Sequence, residues 1–163
     1  MTDQTQTITI SAERPDGEEA LTLIRQLDED LCRRYPEMPA QLIHGLHPSD
    51  LADPDFTFLI ARIDGRAVGC GALRNLEPGV GEVKRMYVLP GFRRHGIARR
   101  ILARLESRAR ELGDVAVRLE TGNGQTEAIR LYRSSGYREI AAFGEYADDE
   151  RSVCFEKRLE GVL

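Results

Sequence analysis

A chain of 163 residues is long enough to bury a sizeable core in one domain, and 41% hydrophobic with 31% charged residues is an ordinary globular composition. No apolar run approaches the roughly 20 residues that cross a bilayer, and the polar MTDQTQT start lacks the features of a secretory signal, so a cytoplasmic protein without membrane contact is expected. Cys32, Cys70 and Cys154 are odd in number and far apart, with neither a disulfide framework nor metal-ligand spacing, which fits a reducing cytosol and a site without metal.

In chain order, residues 1–7 are polar and expected to fray. Ile8, Ile10 and Ala12 alternate with Thr9 and Ser11 as a short strand, stopped by Pro15-Asp16-Gly17. Glu18 to Tyr35 reads as a helix, with Leu21, Ile24, Leu27, Leu31 and Cys32 at helical spacing and Pro36 behind it. From Pro39 to Asp55 the pattern is weak: Leu42, Ile43 and Leu46 suit a helical turn, and Ser49 or Asp50 suits the cap of another around Leu51. Phe56–Ile63 and Ala67–Leu76 read as strands joined by Asp64-Gly65, a short-hairpin signal. Glu77-Pro78-Gly79 then turns the chain into a third strand, Gly81–Val88.

Pro90 and Gly91 break that strand, and a helix follows whose Ile97, Ala98, Ile101, Leu102, Leu105, Ala109 and Leu112 form one apolar stripe. After Gly113-Asp114, Val115–Glu120 is again a strand. Strand, helix and strand within about 40 residues make a βαβ unit, so these two strands should lie parallel. Thr121–Gln125 reads as a loop, Thr126–Ser134 as a short helix ending at Gly136, and Tyr137–Phe143 and Ser152–Lys157 as the last strands, with Tyr137 in the core. The acidic residues from Gly144 to Glu150 read as a solvated loop between them, or as an attractor for a cationic ligand if the loop borders a cleft.

Charge is unevenly placed. Between Lys84 and Arg110 stand nine basic residues and one acid, Glu106, a local +8 in a chain of net charge −4. A basic segment in an otherwise acidic protein suits a small polyanion better than a long nucleic acid. Arg93-Arg94-His95-Gly96-Ile97-Ala98 lies where strand gives way to helix, and free N–H groups at a helix start, flanked by small residues, are the design of a phosphate site. Neither G-x-x-x-x-G-K-[ST] nor G-x-G-x-x-G occurs.

Arg93-x-x-Gly96-x-Ala98, five residues beyond a strand ending Met86-Tyr87-Val88, resembles the acetyl-CoA signature of the GNAT superfamily of N-acetyltransferases. Gln125-Thr-Glu-Ala-Ile-Arg-Leu-Tyr132, followed by Gly136-Tyr137, resembles the second half of that pattern, and the resemblance spans residues 57–157. It implies an α/β fold: a mixed sheet of six or seven strands, antiparallel except at the crossover, with some four helices around it. It implies acetyl-CoA as cosubstrate and an amine acceptor, small molecule or peptide or protein amine. The amides of Arg94, His95, Gly96, Ile97, Ala98 and Arg99, beside Arg93, would hold the CoA pyrophosphate. The main chain of Met86, Tyr87 and Val88 would pair with the pantetheine arm as an added strand would, with the Met86 amide near the acetyl oxygen. Tyr132 stands where many members place a hydroxyl beside the sulfur. The family usually has asparagine seven residues before that tyrosine; Gln125 stands there instead, so the contact either shifts on a longer arm or passes to Asn123.

Direct attack of an amine on a thioester needs a base, because an alkylammonium with a pKa of about 10.4 is almost wholly protonated at neutral pH. Glu82, at the start of the strand leading to Met86, and Glu120, closing the parallel strand, are the candidates. Each also reads as a solvated sheet-edge charge or as a partner of Lys84 or Arg118. Tyr132 is the candidate acid for the thiolate, set against its reading as an aromatic anchor of a short helix. His44 and His47 read as surface or acceptor-side residues, and Cys70 and Cys154 as buried small hydrophobes. Two other classes are weighed: a non-catalytic acyl-CoA sensor of the same fold, and a nucleic-acid binder on the arginine-rich helix, against which the acidic remainder of the chain argues. Acceptor and oligomeric state, a homodimer included, are left open.

Overall fold

The computed structural model describes residues 6–37 and 44–160. In order these form β1 (Ile8–Ala12), α1 (Glu18–Arg34), α2 (Pro48–Ala52), β2 (Thr57–Ile63), β3 (Arg66–Glu77), β4 (Val80–Val88), α3 (Ile97–Glu111), β5 (Ala116–Gly122), α4 (Thr126–Ser134), β6 (Arg138–Ile140) and β7 (Ser152–Arg158). The strands make one sheet in the order β1-β2-β3-β4-β5-β7-β6, antiparallel at every junction but β4–β5, which is parallel. This is the mixed α/β architecture expected. No helix among the described residues is long and apolar enough to cross a membrane.

The sheet buries both faces because successive strand residues point to opposite sides. In β2, Leu59, Ala61 and Ile63 belong to the core beneath α3, while Phe58 and Ile60 belong to the core beneath α1. The α3 stripe packs as its spacing predicts: Ile97, Ile101, Leu102, Leu105 and Ala109 are all buried. Each such large side chain withdrawn from water contributes about 1.5–3 kcal/mol. In α1 the buried stripe is Ala20, Leu23 and Leu27, with Ile24 and Leu31 partly covered. Leu21, expected inward, is 52% exposed, and Cys32 is exposed as well. The difference is a rotation of the stripe by about one residue position, which the small Ala20 permits by letting the helix sit close to β3 and β4.

Several boundaries differ from expectation; β5, read as Val115–Glu120, runs Ala116–Gly122, so Thr121 and Gly122 are strand rather than loop. The strand read as Tyr137–Phe143 is cut to Arg138–Ile140, since the chain then bends inward and a single helical turn, Gly144–Tyr146, buries the Tyr146 ring. The second helix is capped by His47 rather than Ser49 or Asp50; Pro48 opens it, and the Asp50 carboxylate accepts the His47 N–H at 3.1 Å. The loop 144–150 is largely exposed, as expected, but it is also fastened, as described below. Leu42 and Ile43, and most of the N-terminal stretch expected to fray, lie outside the described residues.

Candidate active site

The sheet opens in the middle. β4 and β5 pair only from Val80–Val83 against Ala116–Leu119, and beyond that register the two strands part. The parting coincides with an irregularity in β4. Cys70 faces Tyr87 and Ala72 faces Lys84, so three steps on β4 span two on β3, and Arg85 has a φ of 57°. The bulge buries two successive cations: Lys84 Nζ lies 3.4 Å from Glu145, and Arg85 is bound by Asp28 of α1 at 2.6 Å. Across from the bulge, Gly71 leaves the room that Met86 occupies; a Cβ there would stand 2.6 Å from Met86 Sδ and 2.8 Å from an Ile101 methyl.

Two cavities meet in this gap. The larger, about 610 Å³, runs from Met86, Tyr87 and Val88 past Arg94, Gly96 and Ala98 to α4. The smaller, about 120 Å³, lies on the other side and is lined by Tyr35, His44, Lys84, Glu120, Asp149 and Arg151 among others. Leu27, Met86, Gln125 and Tyr132 line both.

The larger groove suits an extended anionic ligand such as acetyl-CoA. Arg94 and Gly96 adopt positive φ (69° and 75°), which turns the chain sharply into α3. Among the described residues, no backbone carbonyl accepts from the amides of residues 94–99, so a fan of donors is left at the positive end of the α3 dipole. Arg34, Arg94, Arg99 and Arg130 add positive charge around the groove. Arg93 is already engaged: its Nε donates to the Val88 carbonyl at 2.9 Å and its guanidinium lies 5.6 Å from the Tyr87 ring centroid. It therefore braces the turn against β4, and the Val88 carbonyl keeps one lone pair for a ligand. Arg99 donates to the hydroxyls of Ser134 and Ser135, tying α3 to the end of α4. His95 is exposed and lines neither cavity.

The two candidate carboxylates differ sharply. Glu82 is 1% exposed, with one oxygen accepting from Arg74 Nη1 at 2.8 Å and the other from the Tyr146 hydroxyl at 2.5 Å. Arg74 in turn reaches Asp50 of α2 at 2.7 Å. Glu82 thus sits behind the smaller pocket, in a closed network. Glu120 lines the pocket itself, and no hydrogen bond or ion pair engages it among the described residues. Burial first, and then the charge of Asp149, push its carboxyl up to about 7, against a partial downward pull from Lys84. The Tyr132 ring is buried against Tyr137 and Phe155, and burial with the nearby Glu120 charge holds its phenol well above the ordinary range. Tyr132 is accordingly neutral at any working pH, a hydrogen-bond donor facing the junction of the two cavities. Gln125 reaches the same junction.

Several residues that shape the smaller pocket carried no signal in sequence. The loop 144–150, read as solvated, is pinned by Glu145 to Lys84 and His47, and by Asp149 to His44 and Arg151. Tyr146 is locked between His44 and Phe143, both edge-on. The available hints were the acceptor-side reading of His44, which lines the pocket, and Glu82 and Lys84 alternating within an apolar strand, which marks a face that buries charge and so needs partners. Cys70 is buried as expected, its thiol pushed up to about 12 chiefly by burial, and Cys154 is buried too.

Comparison with known proteins agrees with this geometry. The profile of the Acetyltransferase (GNAT) family matches residues 22–137. An IAA acetyltransferase from Azospirillum brasilense is 44% identical over 153 residues, covering 93% of this chain and 98% of that one. The crystal structure of a chain described as an acyl-CoA N-acyltransferase from Klebsiella pneumoniae superposes with a TM-score of 0.78 at 36% identity, covering 94% of this chain and 99% of that one. A GNAT family acetyltransferase from Elizabethkingia anophelis, solved with acetyl-CoA bound, shares the fold with a TM-score of 0.67 at 17% identity, over 93% of this chain and 98% of its own. The chain belongs to the acetyltransferase (GNAT) family and is an acyltransferase.

Proposed function

We propose that the protein transfers the acetyl group of acetyl-CoA to a primary amine by direct attack, both substrates being bound at once. Acetyl-CoA, when bound, supplies the activated thioester; the amides of residues 94–99 hold its diphosphate and the freed edge of β4 at Met86 to Val88 aligns its arm. The Met86 N–H, at the bulge, is the donor turned to the thioester oxygen, a contact of a kind that matters by about 2.7–4 kcal/mol. Glu120 takes the proton of the amine, directly or through water. Tyr132 donates its hydroxyl hydrogen bond to the departing sulfur.

The carrying observation is the setting of Glu120: the carboxylate without a partner among the described residues on the acceptor side of the junction, with its pKa raised to about 7. An ordinary glutamate near 4.3 faces a mismatch of roughly 8 kcal/mol with an alkylammonium near 10.4; at about 7 the mismatch falls to roughly 5 kcal/mol. Glu82, with both oxygens engaged, supports the pocket wall instead. The test is release of CoA thiol from acetyl-CoA over a panel of primary amines and peptides, with IAA, the compound in the relative's name, included. Wild type should show a rate limb with an apparent pKa near 7, and Glu120→Gln should lose that limb and about a hundredfold in kcat. An unchanged pH profile in Glu120→Gln overturns the assignment of the base.

A further inference from the structure

The smaller pocket is closed on one side by Tyr35, the residue just past α1. Its hydroxyl accepts the Gly124 N–H at 2.9 Å, across 89 positions of sequence. The ring is seated in a notch left by Gly122, two residues beyond Glu120: a Cβ at Gly122 would collide with the Tyr35 hydroxyl oxygen and stand 2.8 Å from Cζ. Gly122 is not among the residues of positive φ, so the backbone does not demand glycine there. The demand comes from the tyrosine.

We infer that Tyr35, held in the Gly122 notch, is the specificity-determining wall of the acceptor pocket, limiting the acceptor to a compact amine of roughly ten non-hydrogen atoms, at 10–15 Å³ of cavity for each. The inference rests on the reading of this pocket as the acceptor side. Its volume, about 120 Å³, is a fifth of the neighbouring groove's 610 Å³. The charged groups that line it are nearly all committed: Lys84 to Glu145, Arg85 to Asp28, and Arg151 and His44 to Asp149. Among the described residues no lining cation is left over to bind an acceptor carboxylate, and Glu120 alone of the lining charges lacks an ion-pair partner there. The acceptor that fits is small, carries one amine, and has an uncharged body.

The experiment compares kcat/KM for propylamine, 2-phenylethylamine, 2-(1-naphthyl)ethylamine and a lysine-containing pentapeptide, with acetyl-CoA affinity measured by calorimetry in parallel. Wild type should favour the two smaller amines over the naphthyl amine and the peptide by about tenfold or more. Tyr35→Ala, and independently Gly122→Ala, which evicts the ring, should raise the naphthyl-to-propyl ratio about tenfold while acetyl-CoA affinity stays within about twofold. Tyr35→Phe keeps the ring and should keep the wild-type ratio. Transfer with the wild-type ratio in both alanine variants overturns the inference, as does a wild type that prefers the peptide. Failure of wild type to acetylate any amine is a different result: it removes the reading of the pocket, and the inference with it.

Discussion

The Tyr146 hydroxyl donates to Glu82 across 2.5 Å, binding the loop before β7 to the inside of β4. Burial and the Glu82 charge hold the Tyr146 phenol far above its usual range, so the proton stays on the tyrosine. Tyr146→Phe should therefore cost about 1.5–3 kcal/mol in urea unfolding, the range for a hydrogen bond to a charged group. Glu82→Ala, which leaves Arg74 with Asp50 alone and the Tyr146 hydroxyl without its acceptor, should cost at least as much as Tyr146→Phe. Glu82→Gln should lower stability yet leave the rate limb near pH 7 in place. Loss of that limb would instead make Glu82 the base.

Glu120 also couples stability to pH, with a definite sign. Its pKa is about 7 in the fold and near 4.3 in an unfolded chain, so between these values the fold binds more protons and loses stability as pH rises. Glu120→Gln removes that dependence. Relative to wild type, the variant should be more stable at pH 8 than at pH 5 by roughly 3 kcal/mol, measured by denaturant titration at both pH values.

Tyr132→Phe should lower kcat by about tenfold and leave the acetyl-CoA dissociation constant within about threefold. The effect is modest because a thiol with a pKa of about 8.5 leaves readily and needs only a hydrogen bond. A thousandfold loss of kcat would assign the phenol full proton transfer; no loss would return Tyr132 to packing alone.

Gly96→Ala places a side chain at a φ of 75° in open space, so strain rather than collision is the cost, about 1 kcal/mol. Because that residue sets the fan of amides at the start of α3, acetyl-CoA affinity should fall about tenfold by calorimetry.

Gly71→Ala drives a methyl against Met86 Sδ, which can swing toward the cavities, and against the buried Ile101, which cannot, and overpacking of this kind costs about 1–3 kcal/mol. A lower melting temperature together with slower turnover is expected, since relief requires the bulge at Arg85 and Met86 to move.

What the sequence determined by itself is the local grammar. The order of strands and helices, the apolar stripe of α3, the parallel β4–β5 pair and the turn from Arg93 to Ala98 follow from periodicity and chain breakers acting over a few residues. The motif from Gln125 to Tyr132 was legible only through its resemblance to the family's pattern. The tertiary structure decided the rest. That Glu82 is sealed while Glu120 stands open depends on Tyr146, 64 positions from Glu82, and on how far β4 and β5 stay paired. That Gly122 must be glycine depends on Tyr35, and that the loop 144–150 is pinned depends on Lys84, His44 and His47. A carboxylate's pKa and a pocket's wall are set by what packs against them from distant parts of the chain, and local pattern holds no record of those neighbours.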